Sequence, residues 1–246
     1  SLTNIDLPAC TTIGDRAFGK IEGYDGCPSL TSVNLPECTS LGADAFDGCR
    51  SLTSIDLSSC EIIRKATFYN CRSLKSIDLS SCIEIESGEL ESGESAFCFC
   101  SSLTSVYLPK CTKIGRHAFS SCTSLHTVSI PSCTYIGYDI FYDLFNEAGL
   151  NIKEITLNST TPPTLANVET LGKYAMFRVP ASALSAYYND PIWSEPELKN
   201  RLITIDDVID YDVETSAQST EPGLGRKIDK EDMRKVVTLK VSGTIN

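Results

Sequence analysis

Twelve cysteines are the residues of this chain whose type and spacing first invite chemistry. Eleven fall on two interleaved ladders. One holds Cys10, Cys38, Cys60, Cys82, Cys111 and Cys133; the other holds Cys27, Cys49, Cys71, Cys100 and Cys122. The recurring step within a ladder is 22 residues and the offset between ladders is 11. Zinc sites gather thiolates at short spacings such as C-x2-C, and this grid has neither that spacing nor an accompanying row of histidines. Disulfides between stacked neighbours need β-carbons about 3.8 Å apart, closer than the roughly 4.8 Å between in-register strands. The ladders therefore read as reduced thiols facing a core, a role that suits a small, often buried side chain. Cys98, in FCFC, lies off the grid and reads as a packed loop cysteine.

Other catalytic chemistry is thinly represented. The chain has two histidines, His117 and His126, at different places in the repeat, so they do not converge on one site. No G-x-S-x-G, H-E-x-x-H, P-loop or G-x-G-x-x-G motif occurs, and catalysis needs a nucleophile, a base and an orienting group within reach. We expect no catalytic residues, no cofactor and no enzyme; a hydrolase or metal-dependent enzyme is the most distant alternative. Glu84, Glu86, Glu89, Glu91 and Glu94 surround the segment GELESGE. They lack the spaced Asp and Asn ligands of a calcium loop and read as a solvated acidic loop, with no metal.

The balance of 21 basic and 32 acidic residues gives a net charge of −11. That disfavours nucleic acid, which needs clustered Lys and Arg, and anionic lipid surfaces. No apolar run approaches the roughly 20 residues of a membrane-spanning helix. The opening SLTNIDLPAC already matches an internal phrase, so we expect a fragment or processed form rather than a signal peptide.

The elements that must position these residues form a repeat. Each unit reads S-L-x-x-[IV]-x-L-[PS]-x-C-x-x-[IL]-[GR]-x-x-[AT]-F-x-x-C, with insertions within 19–26 and 86–94. The alternation Ile55-Asp56-Leu57 predicts a strand with two residues facing in and one out. Ile63 joins the core. Phe18, Phe46, Phe68, Phe97, Phe119 and Phe141 then predict a stacked aromatic column. Six turns are clear from Leu2 to Leu144, where Leu144 replaces a ladder cysteine, and a weaker seventh runs through Ile152, Ile155 and Leu157.

The phrase CxSLTSIDLPxCTxIGxxAFxxC resembles the BspA-like, or Treponema-type, leucine-rich repeat. Its second half is well kept at Ile13-Gly14-Ala17-Phe18 and Ile114-Gly115-Ala118-Phe119, and worn at Ile63-Arg64-Thr67-Phe68. The resemblance covers 1–157 and implies an α/β repeat solenoid, a right-handed coil of parallel strands, mostly β and loop. The stretches ITLNSTTPPTL, MFRVPASALSAYY and IWSEPELKNRLITI look like the terminal cap of bacterial surface members, which places a C-terminal cap at 158–206. The family's secreted or surface-anchored binding proteins, several linked to adhesion, imply an extracellular or cell-surface binding role and name no ligand.

A solenoid end must be covered. Tyr174, Phe177 and Val179 continue the inward pattern, Pro180 opens a short helix through Leu184 and Tyr187, and Trp193 can lid the column. Residues 207–223 carry few large apolar side chains and read as a linker. Residues 224–246 suggest a short helix capped by Asp229 and a strand, the start of an incomplete further domain.

Down the stack the outward strand position reads Asp6, Asn34, Asp56, Asp78, Tyr107 and Ser129, with His126 on a neighbouring row. We expect one flat polar face, with Asp56 and Asp78 about 5 Å apart. Concave solenoid faces are common binding surfaces, so Asp6, Asn34, Asp56, Asp78, Tyr107 and His126 are the candidate ligand-binding residues; the same polar residues also keep an exposed sheet soluble. The expected function is a non-enzymatic, monomeric binding or adhesion module for a protein partner, of host or matrix type. An extracellular glycan is the alternative, weakened because only Tyr107 clearly faces outward, with Tyr24 and Tyr69 as loop candidates.

Overall fold

A computed structural model of the chain describes residues 2–22, 26–88, 94–143, 150, 152–167, 171 and 175–205. Leu144, Tyr174, Tyr24, Glu89, Glu91 and the segments 207–223 and 224–246 lie outside the described residues.

Each coil has three sides. The first is a three-residue strand with a β-branched residue at its centre: β1 (Asn4–Asp6), β3 (Ser32–Asn34), β5 (Ser54–Asp56), β7 (Ser76–Asp78), β9 (Ser105–Tyr107), β11 (Thr127–Ser129) and β13 (Glu154–Thr156). Such residues pack well on a pleated surface, and the central Val or Ile turns inward between exposed polar neighbours. The strands pair in parallel and in register, Asn4 beside Ser32 and Asp56 beside Asp78.

The second side is a two-residue strand: β2 (Thr12–Ile13), β4 (Ser40–Leu41), β6 (Ile62–Ile63), β8 (Glu84–Ile85), β10 (Lys113–Ile114), β12 (Tyr135–Ile136) and β14 (Thr164–Leu165). These join one unbroken seven-stranded parallel sheet. At the corner after it, a β-carbon on Gly42 or Gly115 would come within 2.3 Å of the preceding coil's backbone nitrogen. The I-G pair of the repeat thus records a close backbone approach.

The third side is a ladder of turns, and no helix occurs in the coils among the described residues. Phe46 donates its N–H to Thr67 O at 2.9 Å, and Phe97 to Ala118 O at 2.9 Å. Two residues before the phenylalanine, Arg16, Asp44, Ala66, His117 and Asp139 hold positive φ; two after it, Gly48, Asn70, Phe99 and Ser121 do. Left-handed residues on either side of the phenylalanine turn the backbone while alternate N–H groups still reach the next coil, as those of Asp44, Phe46 and Gly48 do.

The core is the overlap of these sides. Adjacent phenylalanines from Phe18 to Phe119 stack with ring centroids 5.2–5.5 Å apart, and Phe141 follows at 6.2 Å. The ladder cysteines line the same core, Cys10 and Cys27 half-buried at its first coil and the rest buried, as is Cys98. Their thiols are hydrogen-bond donors as well as apolar filler. In one ladder each bonds the carbonyl two residues ahead, as Cys60 Sγ does with Ile62 O at 3.4 Å. In the other, Cys49, Cys71, Cys100 and Cys122 reach the phenylalanine carbonyl of the preceding coil, as Cys71 Sγ does with Phe46 O at 3.2 Å.

Repeat geometry continues past Leu157. Strands β15 (Met176–Val179) and β16 (Leu202–Thr204) extend the first-side sheet beyond β13. Between them Pro180 leads into a short 3-10 turn and helix α1 (Leu184–Asn189), followed by helix α2 (Pro196–Lys199). Phe177 and Val179 are buried, and Trp193 closes the end edge-on to Phe177 and Tyr187. Its indole N–H donates to Pro163 O at 2.8 Å.

The first-side strands are not one continuous hydrogen-bonded sheet: a four-stranded sheet, β1-β3-β5-β7, is separate from a five-stranded sheet containing β9, β11, β13, β15 and β16, although β7 and β9 remain neighbours. The break lies in the coil lengthened by the 86–94 insertion, while the second-side sheet runs through it unbroken.

Candidate functional site

The strand break divides the six candidate residues. Asp6, Asn34, Asp56 and Asp78 share the four-stranded sheet, whereas Tyr107 ends β9 and His126 stands just before β11 on the other. All six point outward. Over the outward side of β3, β5 and β7 lies a shallow, open depression of about 680 Å³ that includes Asp56, Ile77 and Asp78 and reaches Tyr107 across the break. Ile77 is the least covered central strand residue of the four-stranded sheet, which fits the missing strand pairing on one side. His126 does not line this depression; its Nδ1 lies 3.0 Å from Ser124 O.

The carboxylates have local work. Asp56 Oδ1 accepts the N–H of Ser58 at 2.9 Å, and Asp78 Oδ1 accepts that of Ser80 at 2.9 Å. These are Asx turns, which bend the chain out of the strand. The signal for them was present in the repeated Asp-Leu-Ser of both coils. Asp6 Oδ1 accepts from Asn34 Nδ2 at 2.8 Å, bridging adjacent strands. Tyr107, at 62% exposure, is the most exposed large hydrophobic side chain described.

Three further exposed tyrosines escaped sequence reasoning. Tyr135, Tyr138 and Tyr142 are 37–40% exposed, which corrects the reading that only Tyr107 faces outward. The Arg116 guanidinium lies 5.1 Å from the Tyr138 ring centroid, and His117 meets Tyr142 edge-on at 6.3 Å. The three tyrosines sit at different places around one coil, so no single repeat row displays them. Burial, and then the neighbouring Arg116 charge, lowers the His117 pKa below the ordinary histidine value. Tyr69 packs edge-on against Phe99 at 5.5 Å and is not a free platform.

The two histidines stand apart: His117 belongs to the turn ladder and contacts Ser120 Oγ at 3.2 Å, on another side of the coil from His126. The acidic loop is partly neutralised, with Glu86 held by Arg64 at 3.1 Å and Glu84 by Lys113. No group of three or more metal-ligating side chains gathers among the described residues. None of the described helices is long and apolar enough to cross a membrane.

The family model for the BspA type leucine rich repeat region matches in six copies, over residues 1–92, 22–147 and 90–178. Among solved structures, a leucine-rich repeat protein of T. pallidum is 26% identical, covering 68% of this chain and 67% of that one, with a TM-score of 0.47. One from Bacteroides ovatus is 27% identical over 75% of this chain but only 43% of its own length, with a TM-score of 0.49. A leucine rich cell surface protein from Faecalibacterium prausnitzii is 16% identical over 82% of this chain and 86% of that one, at a TM-score of 0.27. No curated protein matches the chain.

Proposed function

Because the chain belongs to the BspA-type leucine-rich repeat family, we propose that it is a non-enzymatic protein-binding module of a bacterial surface or secreted protein, and that it engages its partner through the outward side of the first-side strands. The observation that carries this reading is the depression at the strand break. It gathers two carboxylates, an exposed aromatic ring and the partly exposed Ile77 on a coil whose second side joins an unbroken parallel sheet. Interface centres favour such exposed aromatics ringed by polar groups, and solenoids characteristically bind along their strand surfaces.

A second reading, an extracellular glycan ligand, is favoured by Tyr135, Tyr138 and Tyr142, because aromatic rings with a polar tip suit partly wet binding surfaces. A screen of the full chain against matrix proteins and a polysaccharide panel separates the two. Run beside Asp56→Lys/Asp78→Lys and Tyr138→Ala variants, it should give a protein hit lost in the first variant and kept in the second. A polysaccharide hit lost only in Tyr138→Ala would replace the protein reading with the glycan one.

A further inference from the structure

Resting on the strand-surface reading, we propose that the depression over β3, β5 and β7, edged by Tyr107 of β9, receives an arginine side chain of the protein partner. Its guanidinium would lie between Asp56 and Asp78 and against the Tyr107 ring. Three features point to this chemistry. First, the Asx turns occupy only Oδ1 of each aspartate in the hydrogen bonds to Ser58 and Ser80. Oδ2 of each is left for a fork of N–H donors, the geometry that arginine matches bidentately. Second, Tyr107 stands across the break from the aspartates with most of its ring surface exposed, and a guanidinium is drawn to an aromatic face. Third, Ile77 lies partly exposed in the lining, and an arginine stem covers apolar surface while its head stays polar.

Charge agrees. The lining includes no lysine or arginine, and the chain as a whole carries −11. Lys75, the nearest cation along β7, precedes Asp78 by three residues, about 10 Å of extended chain. Together the three features select a planar cation with a long apolar stem over an ammonium, an acid or a sugar.

The test uses the full chain and a short blocked peptide, acetyl-Gly-Ser-Arg-Ser-Gly-amide, beside the same peptide with citrulline, which keeps shape and loses charge. Chemical-shift titration should show the arginine peptide moving the Tyr107 ring signals and the amides of residues 76–80, with the citrulline peptide at least about threefold weaker, the scale of exposed ion-pair and cation–π contacts. Asp78→Asn keeps an acceptor for the Ser80 N–H and removes the charge, so the turn survives; it should weaken binding by a similar factor. Tyr107→Phe should bind as the native chain does, and Tyr107→Ala should not.

Equal shifts from both peptides, centred on the same strands, would overturn the arginine assignment and leave the strand-surface reading standing. Shifts confined to the Tyr135, Tyr138 and Tyr142 corner would overturn both. Absence of any shift at millimolar peptide would overturn the arginine assignment, and the partner screen above would then decide the surface reading alone.

Discussion

Replacing Cys71 by alanine would remove both the volume of a buried sulfur and the only side-chain donor to Phe46 O among the described hydrogen bonds. Loss of the thiol should cost about 1–3 kcal/mol, read as a shift in the urea midpoint, because the cavity adds to the loss of one of the two hydrogen bonds to Phe46 O, the other being the Cys49 N–H at 3.1 Å. Burial also sets thiol acidity. It pushes Cys60 from 9.0 up to about 11, and Cys49 and Cys133 up to about 12. A group whose folded pKa stands above its unfolded value stays protonated longer in the folded chain. Its stabilising contribution is therefore complete below about pH 9 and lost as pH climbs towards 12. Thermal midpoints should hold steady from pH 6 to 8 and fall above about 9. A thiol reagent near pH 8 should label Cys10 and Cys27 first, since they alone are half-buried; rapid labelling of Cys71 in the native chain would contradict the packed ladder. Sequence alone placed these thiols inward from their grid. Their second role as donors stayed hidden, because a hydrogen bond to a carbonyl one coil away leaves no mark in spacing.

At the scale of the coil, the aromatic column and the turn ladder carry separable loads. Phe68 lies between two stacked rings and is fully buried, whereas Phe18 is only partly covered. Phe68→Ala should cost about 3–5 kcal/mol, and Phe18→Ala distinctly less. The turn ladder is tested at Asn70, whose φ is 62°. Asn70→Gly should stay within about 0.5 kcal/mol, while Asn70→Val should cost about 1–2 kcal/mol, because a β-branched residue resists the left-handed region. Equal stability of the two variants would mean that the turn tolerates another backbone path. The column was legible because phenylalanine recurs at one repeat position. The left-handed steps were not: Arg16, Asp44, Ala66, His117 and Asp139 share a position and no chemical type. The two-residue strands of the second side were likewise too short to show an alternation. Asp56 and Asp78 were found as outward residues, yet the strand break beside them follows from how the lengthened coil pairs, which composition does not encode.

The whole molecule behaves as a stack whose stability depends on neighbouring coils and a closed end. Arg201 ties that end together. Its Nε donates to Ala175 O at 2.6 Å and its guanidinium lies 4.6 Å from the Phe177 ring centroid. Burial lowers its pKa to about 10, below the 12.5 of an ordinary arginine. Arg201→Met should leave buried carbonyls short of donors and cost about 2–4 kcal/mol. Emission from Trp193, the one tryptophan of the chain, should then shift red at lower urea than in the native protein. The charge of −11 acts at the same scale: association with a basic partner should slow as salt shortens the Debye length below about 8 Å. A hydroxyl-radical footprint of the native chain bound to a protein partner from the screen tests the central claim most directly. Protection at residues 54–56, 76–80 and 105–107 is the predicted result. Protection confined to Tyr135, Tyr138 and Tyr142, with the strand break as reactive as in the free chain, would contradict it.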